Sequence, residues 1–172
     1  MLSKTLINFL EKNKIKYEAI NHRTVYTAWD KATTLTAHSK ITPAMVGKTV
    51  IVSFDGKDHA IGLIPANKNL DKQKVLATFN KLRQKTKQTA YKKIDFITEK
   101  WMKANIKNAK IGATPPFGAF YNLPFFIDNA MIKQVKIIVN AGDYETSLKL
   151  SPTNLIKLNK NALKGSFSQA KT

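Results

Sequence analysis

One pair of segments in the chain leaves little choice of fold, because together they predict a β-hairpin. Residues 49–54 are rich in β-branched and aromatic side chains, and Asp55-Gly56 follows them directly. An Asp-Gly pair between two apolar runs favours a tight turn. The second run, residues 59–65, supplies the returning strand. We therefore expect a sheet that contains this hairpin at the centre of the fold.

The spacing of apolar residues predicts further elements on both sides of the hairpin. Helices are predicted over 3–13, 27–37, 70–83, 95–105 and 151–158, strands over 17–20, 125–127, 135–140 and 146–150, and loops over 65–69 and 84–93. Several strands follow one another with no regular helix between them, which argues against a doubly wound sheet. The order predicts an α/β fold of the α+β type, with a mixed, largely antiparallel sheet surrounded by helices.

Length and composition favour one domain. With 172 residues, of which 43% are hydrophobic, the chain can bury a core of its own. We expect a single domain over residues 1–160 and a frayed basic tail over 161–172, which lacks an apolar pattern. No cysteine is present, so disulfides and cysteine metal sites are excluded. The apolar runs are too short for a bilayer span and no secretory signal begins the chain, so we expect a cytoplasmic protein with no membrane partner.

Positive charge is the strongest global signal. The chain has 29 Lys+Arg against 11 Asp+Glu, a net charge of +18, which is typical of proteins that bind nucleic acid. Basic residues are concentrated in 81–110, and four of them are candidate nucleic-acid contacts: Lys85, Lys87, Lys92 and Lys93. Nearly all the cations are lysines, which favours contact with the phosphate backbone over reading of bases. A solvated charged face and a nucleotide bias in the gene are alternative explanations of the same composition.

Residues 112–118, Gly-Ala-Thr-Pro-Pro-Phe-Gly, interrupt the regular structure. The two prolines fix φ near about −65° and carry no N–H, so no helix runs through them. The flanking glycines accept a positive φ and allow another molecule to approach the main chain. Two interpretations follow: a structural turn, or a stiff loop that presents backbone N–H and C=O groups to a ligand.

Two charged side chains stand at the ends of predicted strands. Lys48 opens the first strand of the hairpin, and it is either solvated or directed into a cleft, where it can hold a phosphate or an oxyanion. Asp128 follows the apolar run 125–127. Because a carboxylate beside such a run needs hydrogen-bond donors, Asp128 is either a helix cap or part of a site.

The common catalytic motifs are missing from the sequence. The three histidines, His22, His38 and His59, have no metal-ligand spacing, so we expect no metal and no cofactor. There is no nucleophile elbow, no phosphate loop and no dinucleotide fingerprint. A conventional hydrolase constellation is therefore excluded.

Four separated features nevertheless occur in an order typical of one family. They are Lys48 within Gly-Lys-Thr-Val at 47–50, the G-x-x-x-P pattern over 112–116, the strand end at Asp128, and Asn-Ala-Gly-Asp at 140–143. Across roughly residues 2–158 the chain resembles the YbaK and prolyl-tRNA-synthetase-associated domain family, aminoacyl-tRNA deacylases that edit mischarged tRNA. The resemblance implies a barrel-like sheet, a tRNA partner, and hydrolysis of the ester between an amino acid and the 3′ end of tRNA.

The resemblance also implies roles for individual residues. Lys48 and the backbone of Gly112 and Gly118 are the implied catalytic groups, which stabilise an oxyanion while water attacks the ester. The implied substrate contacts are Thr114, Pro116, Phe117, Asp128, Gly142 and His22. Some family members carry histidine where this chain has Phe117, so we expect the bulk of Phe117 to limit which amino acid side chain fits.

Two other functions stay open on the sequence alone. One is a non-catalytic module that binds tRNA or another RNA, or regulates, with the same fold. The other is a hydrolase of another small ester or aminoacyl conjugate, for which the basic surface is incidental. An aminoacyl-tRNA synthetase is a further candidate partner.

Overall fold

The computed structural model describes residues 1–36 and 40–171, and in them the chain forms ten β-strands and seven α-helices. The strands are β1 (Glu18–Asn21), β2 (Gly47–Phe54), β3 (Asp58–Pro65), β4 (Lys68–Leu70), β5 (Ile94–Phe96), β6 (Phe125–Asp128), β7 (Ile137–Asn140), β8 (Thr146–Leu150), β9 (Leu163–Gly165) and β10 (Ser168–Ala170). The helices are α1 (Lys4–Lys12), α2 (Ala28–Thr36), α3 (Lys72–Lys85), α4 (Glu99–Asn105), α5 (Gly118–Tyr121), α6 (Asn129–Ile132) and α7 (Pro152–Leu158).

The described strands form three sheets. The largest has the order β5-β2-β3-β6-β9 and is mixed: β2 is antiparallel to β3 and β5, and β6 is parallel to β3 and β9. The second has the antiparallel order β1-β8-β7, and a parallel bridge between Val46 and Ile138 brings β7 alongside the start of β2. The third pairs β10 with β4. The predicted mixed, largely antiparallel α/β fold is confirmed, and its sheets do not close into a barrel.

The predicted hairpin is formed by β2 and β3. In its turn, Asp55 and Gly56 have φ values of 53° and 67°. Asp55 also fixes the neighbouring loop, because its carboxylate accepts hydrogen bonds from the backbone N–H groups of Lys92 and Lys93 at 2.9 and 2.8 Å. The turn residues therefore determine both the hairpin and the course of the chain beside it.

The two faces of the five-stranded sheet bury different cores. Ile61 and Leu63 lie on one face and pack in the largest apolar cluster, together with residues of α1. Val52 and Ile64 lie on the other face and pack with residues of α3. Because side chains alternate along a strand, Lys48 lies on the same face as Val52. This second face therefore carries the candidate catalytic lysine.

Three predicted helix caps are confirmed. The Ser3, Thr27 and Ser151 hydroxyls each accept a hydrogen bond from a backbone N–H in the first turn of α1, α2 and α7, at 3.1, 3.0 and 3.1 Å. Each bond satisfies one of the free N–H groups at a helix start. The predicted end of α2 at Ala37, and His38, lie outside the described residues.

Two predicted boundaries are wrong. The helix predicted over 95–105 begins only at Glu99, because Ile94–Phe96 pairs with β2 as β5 and Thr98 caps the helix. The loop predicted over 65–69 runs into β4, which pairs with β10. In both places a distant strand supplies the hydrogen bonds, and local periodicity does not report such a partner.

The end of the chain is part of the fold rather than the frayed tail expected over 161–172. β9 runs parallel to β6, and β10 pairs with β4. Between them, Phe167 is buried, its N–H donates to the Asp128 carboxylate at 2.9 Å, and its carbonyl accepts from the Asp71 N–H at 2.7 Å. A single buried aromatic anchors this segment, and one aromatic produces no periodic pattern in the sequence. Thr172 lies outside the described residues.

Candidate active site

Lys48 lies in a row that the register of β2 and β7 defines. A single parallel bridge joins Val46 to Ile138, and Lys48 in β2 and Asn140 in β7 each follow that bridge by two residues, on the same face of their strands as the bridged pair. The Lys48 side chain is half-buried. Burial lowers the pKa of its ammonium, and the charge of Lys171 lowers that pKa further. Lys48 is therefore a partly desolvated cation at the start of β2.

Asn140 connects this row to the proline loop, residues 112–118. Its side chain is 4% exposed, its Nδ2 donates to the Gly112 carbonyl at 3.3 Å, and its Oδ1 accepts a hydrogen bond from the Lys31 ammonium. Lys31 belongs to α2 and is 3% exposed. Burial lowers the pKa of Lys31 to about 8, although the charge of Asp143 opposes this shift. The exposed Gly112 and the buried Asn140 and Lys31 thus form a polar cluster at the end of β7.

Sequence reasoning missed both Lys31 and Asn140 as site residues. Lys31 carried a signal, because it lies three residues after Ala28 and four before Leu35, two residues on the apolar face of α2. A lysine on such a face needs a partner inside the protein. Asn140 is part of the Asn-Ala-Gly-Asp motif at 140–143, but no role was predicted for its side chain, since an asparagine at a strand end is typical of an ordinary turn.

Among the described residues, the proline loop leaves the backbone N–H groups of Gly112, Thr114 and Gly118 without a partner. The N–H groups of Ala113 and Phe117 donate to nearby carbonyls, both at 2.9 Å, and the two prolines have no N–H. In the part of the chain that the structure describes, the Thr114 hydroxyl has no hydrogen-bond partner either. Thr114 is buried whereas Gly112 is exposed, and because buried unpaired polar groups are rare, the groups of Thr114 point to a ligand.

Two glycines hold the loop in place. Gly112 has a φ of 82°, and a Cβ there would lie 3.2 Å from the Tyr26 carbonyl. Gly142 has a φ of 103°, its N–H donates to the Ala113 carbonyl at 2.8 Å, and a Cβ there would lie 2.8 Å from the Asn108 carbonyl. Both backbones favour glycine. Gly142 was expected to contact the substrate, but in the structure its backbone holds the proline loop in place.

The second half of the loop turns into the main core. Phe117 is completely buried there, with its ring centroid 6.2 Å from that of Phe9. Gly118 packs against Ile61, on the face of the five-stranded sheet opposite Lys48. Enclosed in this way, Phe117 offers no surface to a substrate in this structure, contrary to the expectation that its bulk limits the pocket.

Pro116 also belongs to the buried part of the loop. Its carbonyl accepts a hydrogen bond from Asn159 Nδ2 at 3.4 Å, and both residues are buried. The structure therefore separates the two glycines that were expected to act together. Gly112 lies against Asn140 at the candidate site, whereas Gly118 lies in the core.

His22 supports the polar cluster from the neighbouring strand. Its Nδ1 lies 2.8 Å from the Arg23 carbonyl and its Nε2 lies 2.9 Å from the Ser147 hydroxyl. A carbonyl can only accept, so Nδ1 carries the proton and Nε2 accepts from Ser147. Burial lowers the pKa of His22, which favours this neutral form. Since Ser147 pairs with Asn140, His22 reaches the cluster through that serine.

Asp128 lies on the Lys48 face but two strands away. Lys48 pairs with Ile64, and the parallel register of β3 and β6 places Asp128 next to Ile64. Its Oδ1 accepts from the Ala130 N–H at 2.7 Å and caps α6, and its Oδ2 accepts from Phe167. Both carboxylate oxygens therefore accept backbone hydrogen bonds, and they hold the start of α6 and the segment around Phe167 in place.

The four candidate nucleic-acid contacts lie together at the other end of β2. These residues, named here the lysine surface, are Lys85, Lys87, Lys92 and Lys93, and all four are exposed. Among the described residues only Lys93 of the four forms a salt bridge, with Asp95 at 3.9 Å. Six residues separate Lys48 from the turn end of β2, which is a span of about 20 Å in a strand. The lysine surface is therefore remote from the polar cluster.

Two aromatic rings near the lysine surface, Tyr91 and Trp101, already stack on other side chains. Tyr91 lies between Phe54, at 4.6 Å, and the Arg83 guanidinium, at 4.0 Å. Trp101 stacks on His59 at 4.3 Å. The exposed ammonium groups of this surface suit contact with phosphates.

Cavity size does not identify the site. A cavity of about 400 Å³ lies between α2 and β1, beside His22 and Arg23, and one of about 510 Å³ lies at the turn end of the hairpin, beside Phe54. Lys48 and the proline loop line neither of them. Unpaired donors beside a desolvated cation are more specific evidence, so we place the site at the Lys48 row.

Residues 1–36 and 40–171 lack both a metal-binding group and a membrane-spanning helix. No group of three or more His, Asp or Glu side chains there could hold a metal ion. No helix in these residues is both long and apolar enough to cross a membrane.

The fold is shared with solved structures. The crystal structure of hypothetical protein APE2540 superposes with a TM-score of 0.75 and 15% identity, over 96% of this chain and 100% of that chain. A protein proposed to be a trans-editing enzyme for prolyl tRNA synthetase superposes with a TM-score of 0.69 and 18% identity, over 98% of this chain and 99% of that chain. At such identities the likeness shows the fold alone.

Sequence comparison identifies the family. No curated protein matches the chain. Residues 22–158 match the family model of the aminoacyl-tRNA editing domain, and this range includes Lys31, Lys48, the proline loop and Asn140. The family predicted from the four sequence features is confirmed, and the chain belongs to the aminoacyl-tRNA editing domain family.

Proposed function

We propose that this chain is a trans-editing aminoacyl-tRNA deacylase, which hydrolyses the ester between an amino acid and the 3′-terminal ribose of a mischarged tRNA. One observation carries the proposal. The half-buried Lys48 follows the bridge between β2 and β7, Asn140 at the end of β7 holds the proline loop, and the Gly112 and Thr114 N–H groups of that loop are unpaired among the described residues. Membership of the editing-domain family supports the same reaction class.

These groups suit ester hydrolysis without a protein nucleophile. Water attacks the ester carbonyl carbon and gives a tetrahedral intermediate with a negatively charged oxygen, which N–H donors and an ammonium stabilise. The bond from that carbon to the ribose oxygen then breaks, and the proton lost by the water ends on the ribose oxygen. The adjacent ribose hydroxyl can orient the water. The products are the free amino acid and the uncharged tRNA.

Each residue of the cluster has a role in this scheme. Lys48 binds the oxyanion or the terminal phosphate, and Gly112 and Thr114 supply the amide donors. Thr114 takes the place first given to Gly118, because Gly118 lies in the core. Asn140 and Lys31 are positioning residues, since they hold the Gly112 carbonyl and thereby fix which way the loop presents its N–H groups.

The substrate also accounts for the charge of the chain. The lysine surface contacts the phosphate backbone of tRNA about 20 Å from the ester, where it adds affinity without choosing a sequence. In this role the protein acts in the cytoplasm, with an aminoacyl-tRNA synthetase as the enzyme that supplies its substrate.

The test is a panel of mischarged tRNAs incubated with the wild-type chain, Lys48→Ala and the control Lys12→Ala, which removes an exposed lysine of α1. We expect hydrolysis of at least one ester. Lys48→Ala is expected to reduce kcat/KM by about 100-fold or more, as loss of an oxyanion donor does. Lys12→Ala is expected to behave as the wild type.

Two results would reject the proposal. If the chain binds tRNA with a steep salt dependence but hydrolyses none of the esters, it is a non-catalytic tRNA-binding module. If Lys48→Ala keeps full activity, the site lies elsewhere. Hydrolysis of small esters that is insensitive to loss of the lysine surface would instead identify a small-ester hydrolase.

A further inference from the structure

The C-terminal arm, residues 161–171, lies outside the family match and still reaches the candidate active site. Its last strand, β10, pairs with β4. β4 follows β3, whose final residue Pro65 pairs with Gly47 at the start of β2. Lys171 comes directly after β10, so this pairing carries it towards the start of β2.

Lys171 lies against α2. Its Nζ is 5.4 Å from the centroid of the Trp29 ring, within the range of a cation–π contact. Trp29 is 54% exposed, which is unusual for so large an apolar side chain. The arm is anchored by buried Phe167, which is hydrogen-bonded at both its N–H and its carbonyl. An exposed indole and an ammonium are therefore held together beside the polar cluster.

The pairing of β10 with β4 brings the Lys171 ammonium towards the start of β2, where Lys48 lies. The charge of Lys171 acts on Lys48 and lowers its pKa. Neither lysine forms a salt bridge within residues 1–36 and 40–171. The carboxylate of Asp128, on the Lys48 face, already accepts from two backbone N–H groups. Because like charges repel, two cations held in this way favour an anion between them.

We propose that Trp29, Lys48 and Lys171 form a subsite for the 3′-terminal nucleotide of an RNA, with the base stacked on Trp29 and the phosphate between the two ammonium groups. The chemistry suits this ligand, because every base has a π-face and lysine binds phosphate as a point charge. The inference rests on the proposed function for the identity of the RNA, since the ester of an aminoacyl-tRNA is on its terminal ribose. The arm outside the family match then supplies part of the substrate site.

The test is binding of the uncharged trinucleotide CCA, the single-stranded end of tRNA, because this needs no ester hydrolysis. The chain has two tryptophans, so in a Trp101→Phe background the indole fluorescence reports Trp29. We expect CCA to change that fluorescence. In the same background, Lys171→Ala is expected to weaken binding several-fold and to reduce the salt slope of log Kd by about 0.7, the value for one phosphate of a single strand.

Trp29→Leu needs a different readout, for which dye-labelled CCA and fluorescence anisotropy serve. We expect binding to weaken roughly 5-fold to 100-fold, as loss of one base stack does. Lys12→Ala is the matched control and is expected to bind CCA as the wild type does. Trp29 and Lys171 are both exposed, so thermal unfolding should show that their variants keep the fold.

Binding of CCA that is unchanged in Lys171→Ala and Trp29→Leu would overturn the inference. A Trp29 signal that inorganic phosphate reproduces in full would also overturn it, because no base would then be involved. Failure of the proposed function is distinguishable. If the chain binds CCA through these residues but deacylates no tRNA, the subsite stands and the proposed activity fails. If the chain deacylates tRNA and both variants are as active as the wild type, the activity stands and the subsite fails.

Discussion

The two ends of the β2–β3 hairpin use the same residue types in different surroundings. At the Lys48 end, the buried side chain of Asn140 holds the proline loop and binds an ammonium. At the turn end, Asn80 holds the loop 86–93, since its Oδ1 accepts from the Tyr91 N–H at 2.7 Å and its Nδ2 donates to the Tyr91 carbonyl at 3.0 Å. Asn80 is only half-buried, and the lysines around that loop are exposed.

The difference between the two ends is one of burial. A partly buried lysine can take part in a reaction, whereas an exposed lysine only attracts a negatively charged ligand. Burial lowers the pKa of both Lys31 and Lys48 at one end of the hairpin. An exposed ammonium keeps its water and interacts with a polyanion mainly at long range, through a field that salt screens. We therefore expect changes at the Lys48 end to alter stability and rate, and changes at the turn end to alter affinity and its salt dependence.

The largest effect is expected from the two asparagines. Asn140→Ala should lower the free energy of unfolding by about 3 kcal/mol, because it leaves a buried ammonium and the Gly112 carbonyl without a partner. Asn80→Ala should cost about 1 kcal/mol, since water can replace the lost hydrogen bonds. Urea unfolding of the two variants measures both values. Equal losses would show that the two ends do not differ in this way.

The second prediction uses pH to find the buried lysine. The folded-state pKa of Lys31, about 8, lies below its ordinary value of 10.5, so the unfolded chain binds more protons between these pH values. The free energy of unfolding of the wild type should therefore rise relative to that of Lys31→Met from pH 8 to pH 10.5, by up to about 3 kcal/mol. The penalty of the buried charge is fully present below pH 8.

Subtracting the Lys31→Met curve removes the titration of groups that do not interact with Lys31. His22 and Asp143 do interact with it, but the pKa of each is lowered from an ordinary value that is itself below 8, so neither titrates between pH 8 and pH 10.5. Lys85→Met, at the turn end, is the control for an exposed lysine. The quantity to compare is the difference in free energy of unfolding between wild type and variant, plotted against pH. If this difference rises no more steeply for Lys31→Met than for Lys85→Met, the buried position of Lys31 is contradicted.

Two glycines with positive φ offer a third contrast. Gly142→Ala should cost about 2 kcal/mol and slow deacylation, because strain adds to a collision of the new Cβ with the Asn108 carbonyl. At the turn end, Gly56 has a φ of 67°, but a Cβ there would have no other atom within 4 Å, so Gly56→Ala should cost about 1 kcal/mol and leave the rate unchanged. Thermal unfolding and single-turnover deacylation test the pair, and a slow Gly56→Ala enzyme would count against it.

The smallest effect is expected at the lysine surface. Replacing its four lysines by glutamine should raise KM for tRNA about tenfold, leave kcat unchanged, and reduce the salt slope of log KM by about 3. The matched control replaces four exposed lysines elsewhere by glutamine: Lys4, Lys12, Lys14 and Lys157. Steady-state deacylation at several salt concentrations measures all three quantities. An equal rise of KM in the control would mean that the charge acts without a defined surface.

Much of the fold could be predicted from the sequence because it depends on neighbours in the chain. The Asp55-Gly56 turn fixed the hairpin, and the hydroxyls of Ser3, Thr27 and Ser151 fixed three helix starts. The strands that were missed, β4, β5, β9 and β10, are three residues long and depend on partners far away in sequence. No local pattern reports such partners.

The candidate site, like the fold, could be predicted from the sequence only in part. Lys48 and Gly112 were predicted from the motifs; the Gly112 carbonyl accepts a hydrogen bond from Asn140, and the catalytic role of both residues stays a prediction. The sequence treats 112–118 as one loop, but the fold turns its second half into the core, which removes Phe117 from any open surface. The hydrogen bond between Lys31 and Asn140 could not be predicted, because it forms only where α2 packs against β7.

The sequence by itself determined the order of the main elements, the hairpin, the helix caps and the family, because short-range geometry and motif order carry that information. Only the tertiary structure decided which of the 29 basic residues are buried and which are solvated, and which loop N–H groups are left without partners. Burial is a property of surfaces that meet from distant parts of the chain. For that reason the chemistry of Lys31, Lys48 and Lys171 could not be read from their places in the sequence.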